Sequence, residues 1–559
     1  MSNWKKLGWV VALAGATACT GGAETAHGTT PRVDADDPLA GLGQELTPLA
    51  TQCTFNTSTG LMTVTVATGE TAVLQRSAAD SSILQNGQAC DNPVTASTLK
   101  KITITGSGGD ETVLLDFTYG LFATGTSSVA SSGIAIDMGG GSGDKLAIKG
   151  TNGVDTFTFG ADALLLNTDA YKDITYTGVE NFVVSLGDGD DVFTASGSAV
   201  AGAVFPSAIT VFGGPGADTF NEGSVTSPNE TIYGGSGTDT VSYASRTAAI
   251  TVTVGTGADD GLASENDDIK DDVEVITGGT AADSLTASAL GNTLNGGPGA
   301  DTLIGGAGND TLNGGTGNDT LRGGDGNDTL NGDDGDDTFD EGSASNGMDV
   351  MNGGNGTDTV DYSARTNALT VTMDGASAND GETNEKDNVK GDVENIIGGS
   401  GNDNITGNSL NNVIDGRAGN DILNGGAGDD TFLQGSAADG NDTISGGLGV
   451  DLVTYASRTA DITAALDGTT ASGDIGNSEA DILGTDVENL YGGSGADTLT
   501  GNASANEIVG GAGNDTISGG AGDDTLEGGA DDDTINCGAG FDVNVGAVGT
   551  DTVNSDCEI

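Results

Sequence analysis

Gly296-Gly297-Pro298-Gly299-Ala300-Asp301-Thr302-Leu303 is followed, nine residues on, by Gly305-Gly306-Ala307-Gly308-Asn309-Asp310-Thr311-Leu312. The run continues in the same register through 314–321, 323–330 and 332–339. Each unit reads G-G-x-G-x-D-x-U-x, where U is a large apolar residue. The glycines let the backbone turn through positive φ and expose its carbonyls. The aspartate sets a carboxylate at a fixed point of every turn, and the T-U-x segment is a short strand with its apolar side chain inward. A strict short period signals coils stacked one on another. The expected fold is all-β, a parallel β-solenoid.

Working outward, two further units, 278–286 and 287–295, precede this run. A larger repeat is superimposed, giving three blocks at 234–340, 353–433 and 446–559. The blocks open on Gly234-Gly235, Gly353-Gly354 and Gly446-Gly447 and continue with Tyr243 and Arg246, Tyr362 and Arg365, or Tyr455 and Arg458. An alternating strand and an acidic loop follow, closed by Val273-Glu274, Val393-Glu394 or Val487-Glu488. An arginine recurring in so acidic a chain is expected to pair with a nearby carboxylate or to cap strand ends. The acidic loops are expected to be solvated insertions on one face, with additional cation binding as the alternative. In each block the second unit after the loop replaces aspartate by Asn292, Asn412 or Asn506. An amide lacks the charge to hold a cation strongly, so these positions are expected to form backbone hydrogen bonds instead.

The 559 residues hold 17 Lys and Arg against 83 Asp and Glu, a net charge of −66. Such a chain lacks the cations that phosphates require, which excludes nucleic acid as partner. With 97 glycines and 4% aromatic residues, it builds a thin core of stacked strands. Acidic, glycine-rich chains often fail to fold, but a disordered tract would not keep one apolar residue per unit. The donors on offer are carboxylates and backbone carbonyls. The single histidine is His27 and no CxxC pair occurs, which argues against zinc. Oxygen donors in irregular sets suit Ca²⁺ better than Mg²⁺.

Over 211–559 these motifs closely resemble the RTX, or hemolysin-type, calcium-binding repeat family. The resemblance implies a parallel β-roll in which two nonapeptides make one coil and Ca²⁺ sits between turns stacked one coil apart. It points to Asp301, Asp310, Asp319, Asp328 and Asp337 in the first block as metal ligands. In the second it points to Asp403, Asp421 and Asp430, and in the third to Asp497, Asp515, Asp524 and Asp533. Asp218, Asp239, Asp358 and Asp451, in isolated units, complete the set. Stacked carboxylates repel unless a cation lies between them, so folding is expected to be coupled to Ca²⁺ binding. Family members exported by type I systems carry an uncleaved C-terminal signal, whereas this chain opens on an N-terminal one. That difference, and the lack of a long apolar helix after residue 20, weaken the analogy with pore-forming toxins of the family.

Residues 1–19 read as a secretory signal, with Lys5 and Lys6 before an apolar run. Ala16-Thr17-Ala18-Cys19 resembles a lipoprotein processing site, which would lipidate Cys19 and anchor the chain to an outer membrane. Ordinary cleavage near Ala18 or Ala23 is the alternative. Five cysteines tilt the balance toward lipidation, since removing Cys19 leaves two local pairs, Cys53 with Cys90 and Cys537 with Cys557. Residues 20–50, with Pro31, Pro38 and Pro48, form a linker. Residues 51–210 read as a β-rich domain, a diverged solenoid capping the regular one. They hold neither H-E-x-x-H nor G-x-S-x-G and no histidine. The functional expectation is a non-catalytic, exported, calcium-binding protein with a structural or adhesive role at the cell surface. A hydrolase sited in 51–210, with the repeats serving folding and export, is the alternative.

Overall fold

The computed structural model describes residue 39 and 52–557, apart from 78–82, 90–94, 96–97, 122–132, 161–162, 167–171, 196–207, 225–228, 377, 546–547 and 555–556. The expected signal, Cys19 and Cys90 lie outside the described residues, as does the linker save for Leu39.

Thr293–Pro298 pairs in parallel with Thr311–Thr316, which pairs with Thr329–Asp334, placing Thr293, Thr311 and Thr329 side by side. The alternate units, Thr302–Ala307, Thr320–Asp325 and Thr338–Asp340, pair in the same way in a second sheet. Strands 18 residues apart are therefore neighbours, and two nonapeptides make one coil. Leu294, Leu303, Leu312, Leu321, Leu330 and Phe339 all point inward and are buried. Each strand thus contributes one large apolar side chain, and the β-branched threonine before it lies partly exposed on the sheet face, where such side chains favour extended backbone. Among the described residues the only helical segment is the 3₁₀ turn Ile475–Asn477.

The solenoid does not begin at residue 211. Leu61–Thr65, Lys101–Thr105 and Gly133–Asp137 pair in parallel and belong to the 16-stranded sheet that runs on to Asn388–Val389. Across the expected boundary Asn181–Ser185 pairs with Ile209–Gly216. Residues 52–210 are longer coils of the same stack, packed by Phe157, Phe159, Phe182 and Phe193. The N-terminal edge is covered by the antiparallel strand Gln52–Asn56, which removes an exposed parallel edge. At the other end Cys537 and Cys557 form a disulfide, with Cα atoms 5.2 Å apart. Cys53 is also disulfide-bonded.

The acidic loops depart from expectation. In the second block Asp380 and Asp387 form an antiparallel bridge, and Asn388–Val389 adds to the sheet beside Val350–Asn355. Asp380, Glu385 and Asp387 are buried, as are Asp260, Glu265 and Asp267 in the first block. The loops fold inward because a buried arginine draws them. Arg246 meets Glu265 at 2.9 Å, Arg365 meets Glu385 at 2.9 Å and Arg458 meets Glu479 at 2.6 Å. Each guanidinium also lies over the ring of the tyrosine three residues earlier, 5.7 to 6.0 Å from its centroid, a favourable cation–π arrangement. The expected arginine–carboxylate pairing is therefore present, and it carries the loops with it.

Candidate metal centre

The repeat aspartates stand in columns one coil apart, each held by the same bond. The backbone N–H of Asp301 donates to Oδ1 of Asp319 at 2.7 Å, that of Asp319 to Asp337 at 2.8 Å, and that of Asp337 to Asp358 at 2.9 Å. On the opposite edge Asp310 donates to Asp328 at 2.8 Å and Asp328 to Asp349 at 2.8 Å. The second block repeats this from Asp403 to Asp421 and from Asp430 to Asp451, and the third from Asp497 to Asp515 and onward to Asp533. Asn506 donates to Asp524 and Asp524 onward to Asp542, and Asp218 donates to Asp239.

One oxygen of each carboxylate is thereby fixed; the other is not. Oδ2 of Asp301, Asp310, Asp319, Asp328 and Asp337 is buried without a hydrogen-bond partner. The same holds for Asp218, Asp239, Asp358, Asp421, Asp430, Asp451, Asp515, Asp524 and Asp533. A buried carboxylate oxygen with no donor costs several kcal/mol or demands a cation. Asp403 and Asp497 differ, because their Oδ2 atoms accept from Gly399 at 2.8 Å and Gly493 at 2.7 Å. These two begin their columns, accepting from Leu369 and Ile462, and are the least available to metal.

The space beside each orphan oxygen is shaped by the first glycine of the unit. A Cβ on Gly296 would lie 2.5 Å from Oδ2 of Asp301 and 2.6 Å from the carbonyl oxygen of Gly314, one coil on. On Gly314 it would meet Asp319 at 2.4 Å and the Gly332 carbonyl at 2.8 Å; on Gly510, Asp515 at 2.3 Å and the Gly528 carbonyl at 2.4 Å. A carboxylate oxygen and a carbonyl from the next coil thus converge on one cradle, repeated along the edge. These are oxygen donors alone, in the mixture of carboxylate and carbonyl that Ca²⁺ accepts. The residues present fit the ion.

The asparagines resolve the same position differently. Asn292 Nδ2 donates to the Val273 carbonyl at 2.8 Å, Asn412 to Glu394 at 2.8 Å and Asn506 to Glu488 at 2.8 Å. An amide supplies its own donor where aspartate leaves an acceptor bare, so the expected hydrogen-bonded role holds. Asp191, Asp349 and Asp442 extend the columns beyond the expected set, accepting from Asp155, Asp328 and Asp421. Their units lack the leading G-G pair. The shorter pattern G-x-D-x-U, as in Gly347-Met348-Asp349-Val350-Met351, would have found all three.

Burial raises these carboxyls above the usual range, and neighbouring carboxylates add to it. Asp310 and Asp319 are pushed to about 6, and Asp358, Asp421 and Asp515 to about 7, from 3.8. A folded-state value above the unfolded one means the metal-free fold binds more protons than the unfolded chain between about pH 4 and 7. Stability of the metal-free roll is then fully present below about pH 4 and lost as pH rises through 6 to 7. In chelator, acidification from pH 7.5 to 4.5 is expected to increase the β-sheet circular dichroism of the full chain. A signal that is flat or falls over this range would refute the assignment of buried, unpaired carboxylates.

The family model described as RTX calcium-binding nonapeptide repeat (4 copies) matches residues 229–244, 270–303, 286–321, 313–343, 397–432, 436–455, 484–517 and 509–543. The segments between these matches contain most of each acidic loop. No curated protein matches the chain.

Proposed function

We propose that this chain, which carries RTX calcium-binding repeats in the matched segments between residues 229 and 543, is an exported, non-catalytic protein that folds on binding Ca²⁺ and acts as a structural or adhesive element at the cell surface. The observation that carries this reading is the repeated cradle of an orphan Asp Oδ2 facing a glycine carbonyl one coil away. Such a column is incomplete without a divalent cation, and extracellular Ca²⁺ concentrations suit sites assembled from few charges. Export would keep the chain unfolded inside the cell, where Ca²⁺ is scarce, and let it fold outside. The N-terminal signal and Cys19 support a lipid anchor on the outer membrane. In the first region, the surface depression between Thr103, Ala135 and Thr175 carries one carboxylate, Asp137, whereas glycoside hydrolysis needs a facing pair.

The test is calorimetry on the metal-stripped full chain. Ca²⁺ is expected to bind at several ions per chain, and Mg²⁺ at equal concentration to give little heat. Equal binding of the two ions, or none of either, would overturn the reading. The same preparation, loaded with Ca²⁺, is expected to turn over no ester, glycoside or peptide substrate; turnover abolished by Asp137→Asn would favour the hydrolase instead.

A further inference from the structure

The columns do not all end alike. The column Asn292, Asp310, Asp328, Asp349 finishes on Asp387, whose Oδ1 accepts from the Asp349 N–H at 3.0 Å. Asp387 belongs to the acidic loop of the second block. There its carboxylate meets those of Glu341 and Glu385, with one oxygen of each lying within 4.8 Å of the others and all three residues buried. We propose that this cluster is a Ca²⁺ site of a second kind, built by the acidic loop and separate from the nonapeptide turns.

Two observations beyond the clustering of acids point to a cation. Glu341 is 1% exposed, and its Oε1 has no hydrogen-bond partner, although Oε2 accepts from Asn346 at 3.1 Å and lies 3.5 Å from Arg365. Asp349, next in the column, also keeps a buried Oδ2 without a partner. The charges do not balance within the protein. Among the described residues Arg365 is the one guanidinium in contact, and it is already shared among Glu341, Glu382 and Glu385. Asp387 Oδ2 gains only the hydroxyl of Tyr362, at 3.3 Å. A divalent cation among Glu341, Glu385 and Asp387 would give the orphan oxygen of Glu341 a partner, whereas one arginine leaves the group net negative in a buried setting.

The first block builds a related cluster. Glu222, Glu230 and Asp267 offer oxygens within 4.8 Å of one another, all buried, and occupy the positions of Glu341, Asp349 and Asp387 in the block pattern. In the third block the glutamate is replaced by Gln434, and Arg458 takes both oxygens of Glu479, at 2.6 and 3.0 Å. One such site is therefore assigned, in the second block. Glu385 and Asp387 lie between the segments that match the repeat family, whereas Glu341 lies within one, so the inserted loop completes the site against the repeat.

Gln434 also shows that glutamine fits this place, which makes Glu341→Gln a mild probe. The full chain, stripped of metal and dialysed to equilibrium against saturating Ca²⁺, is analysed for bound calcium by atomic absorption. Glu341→Gln is expected to hold one ion fewer than the parent, with unchanged β-sheet circular dichroism. An unchanged count in a folded Glu341→Gln protein would overturn the proposal and leave the cluster to Arg365 and protons. A parent that binds no Ca²⁺ at all would instead defeat the reading of the nonapeptide columns. If Glu341→Gln fails to fold, Tyr362→Phe decides. Tb³⁺ in the cluster would sit against the Tyr362 hydroxyl, so its tyrosine-sensitised emission should drop in that variant, and equal emission would count against the site.

Discussion

Chelation of Ca²⁺ at pH 7.5 is expected to remove most of the β-sheet signal of residues 211–559 and to leave that of 52–210 largely intact. The two parts of the one solenoid are stabilised differently. In the repeat blocks each coil stacks acidic turns directly on acidic turns, about 5 Å apart by the spacing of neighbouring strands. Two carboxylates at that distance repel by about 1 kcal/mol in water and about 3 kcal/mol in a partly buried setting. The columns multiply this term, because Asp301, Asp319, Asp337 and Asp358 follow one another without an intervening cation from the protein. Ca²⁺ reverses its sign, and the energy of binding then becomes energy of folding. The first coils have few such turns and a denser interior. Phe159 lies 5.3 Å from Phe193 and 6.3 Å from Phe182 between ring centroids, and Tyr176 packs 5.0 Å from Phe182. Circular dichroism with limited proteolysis in chelator would show the difference, as a resistant fragment beginning near residue 52 and ending near 220. Full retention of β-signal by the chelated chain would defeat the argument. So would loss of the first coils together with the repeats.

How much of this was legible beforehand depended on period. The nonapeptide fixes both the inward apolar residue and the outward carboxylate, so the fold of 211–559 and fourteen of the sixteen expected aspartates read directly as orphan acceptors in columns. The exceptions, Asp403 and Asp497, begin their stacks. The preceding turn there comes from a loop, and the backbone of Gly399 or Gly493 folds under the carboxylate instead of leaving it open. No feature of the nine-residue pattern distinguishes a first unit from a middle one.

The acidic loops were misread for a related reason. A run such as Asp380 to Asp387 looks solvated when taken alone, because burying a carboxylate without a partner is costly. The partner is Arg365, fifteen or more residues upstream and on a different turn. The recurrence of Tyr and Arg in every block was visible in the sequence; that they pull Glu385 and Asp387 inward required the three-dimensional pairing. The strand register within 52–210 was harder to read, because its coils are about twice as long and keep no fixed period. Their pairings, such as Leu61–Thr65 with Lys101–Thr105, are long-range contacts that alternation alone cannot match up.

Gly317→Ala is expected to be among the most damaging single substitutions in the roll, and its cause can be isolated with a control. Gly317 has φ +127°, a conformation that L side chains rarely adopt, and its Cβ would fall 1.4 Å from the carbonyl oxygen of Gly299 on the preceding coil. Gly257 has the same φ of +127° but nothing within 4 Å of the corresponding Cβ. Gly257→Ala should therefore report the backbone strain alone, about 1–2 kcal/mol. Gly317→Ala adds a clash with backbone that no rotamer change relieves. The coils must separate, which breaks the hydrogen bond from the Gly299 N–H to the Thr316 carbonyl, 2.8 Å long, and widens the cradle between Asp301 and the Gly314 carbonyl. We expect a loss of about 3–5 kcal/mol, the range reserved for core disruption, together with at least one Ca²⁺ fewer per chain. In a stack where each coil contacts only its neighbours, the lesion also divides the first block into two shorter segments. Melting of both variants in saturating Ca²⁺, alongside counts of bound metal, measures the two effects. Equal melting temperatures for Gly317→Ala and Gly257→Ala would mean that close approach between coils is not what the third glycine of the repeat provides.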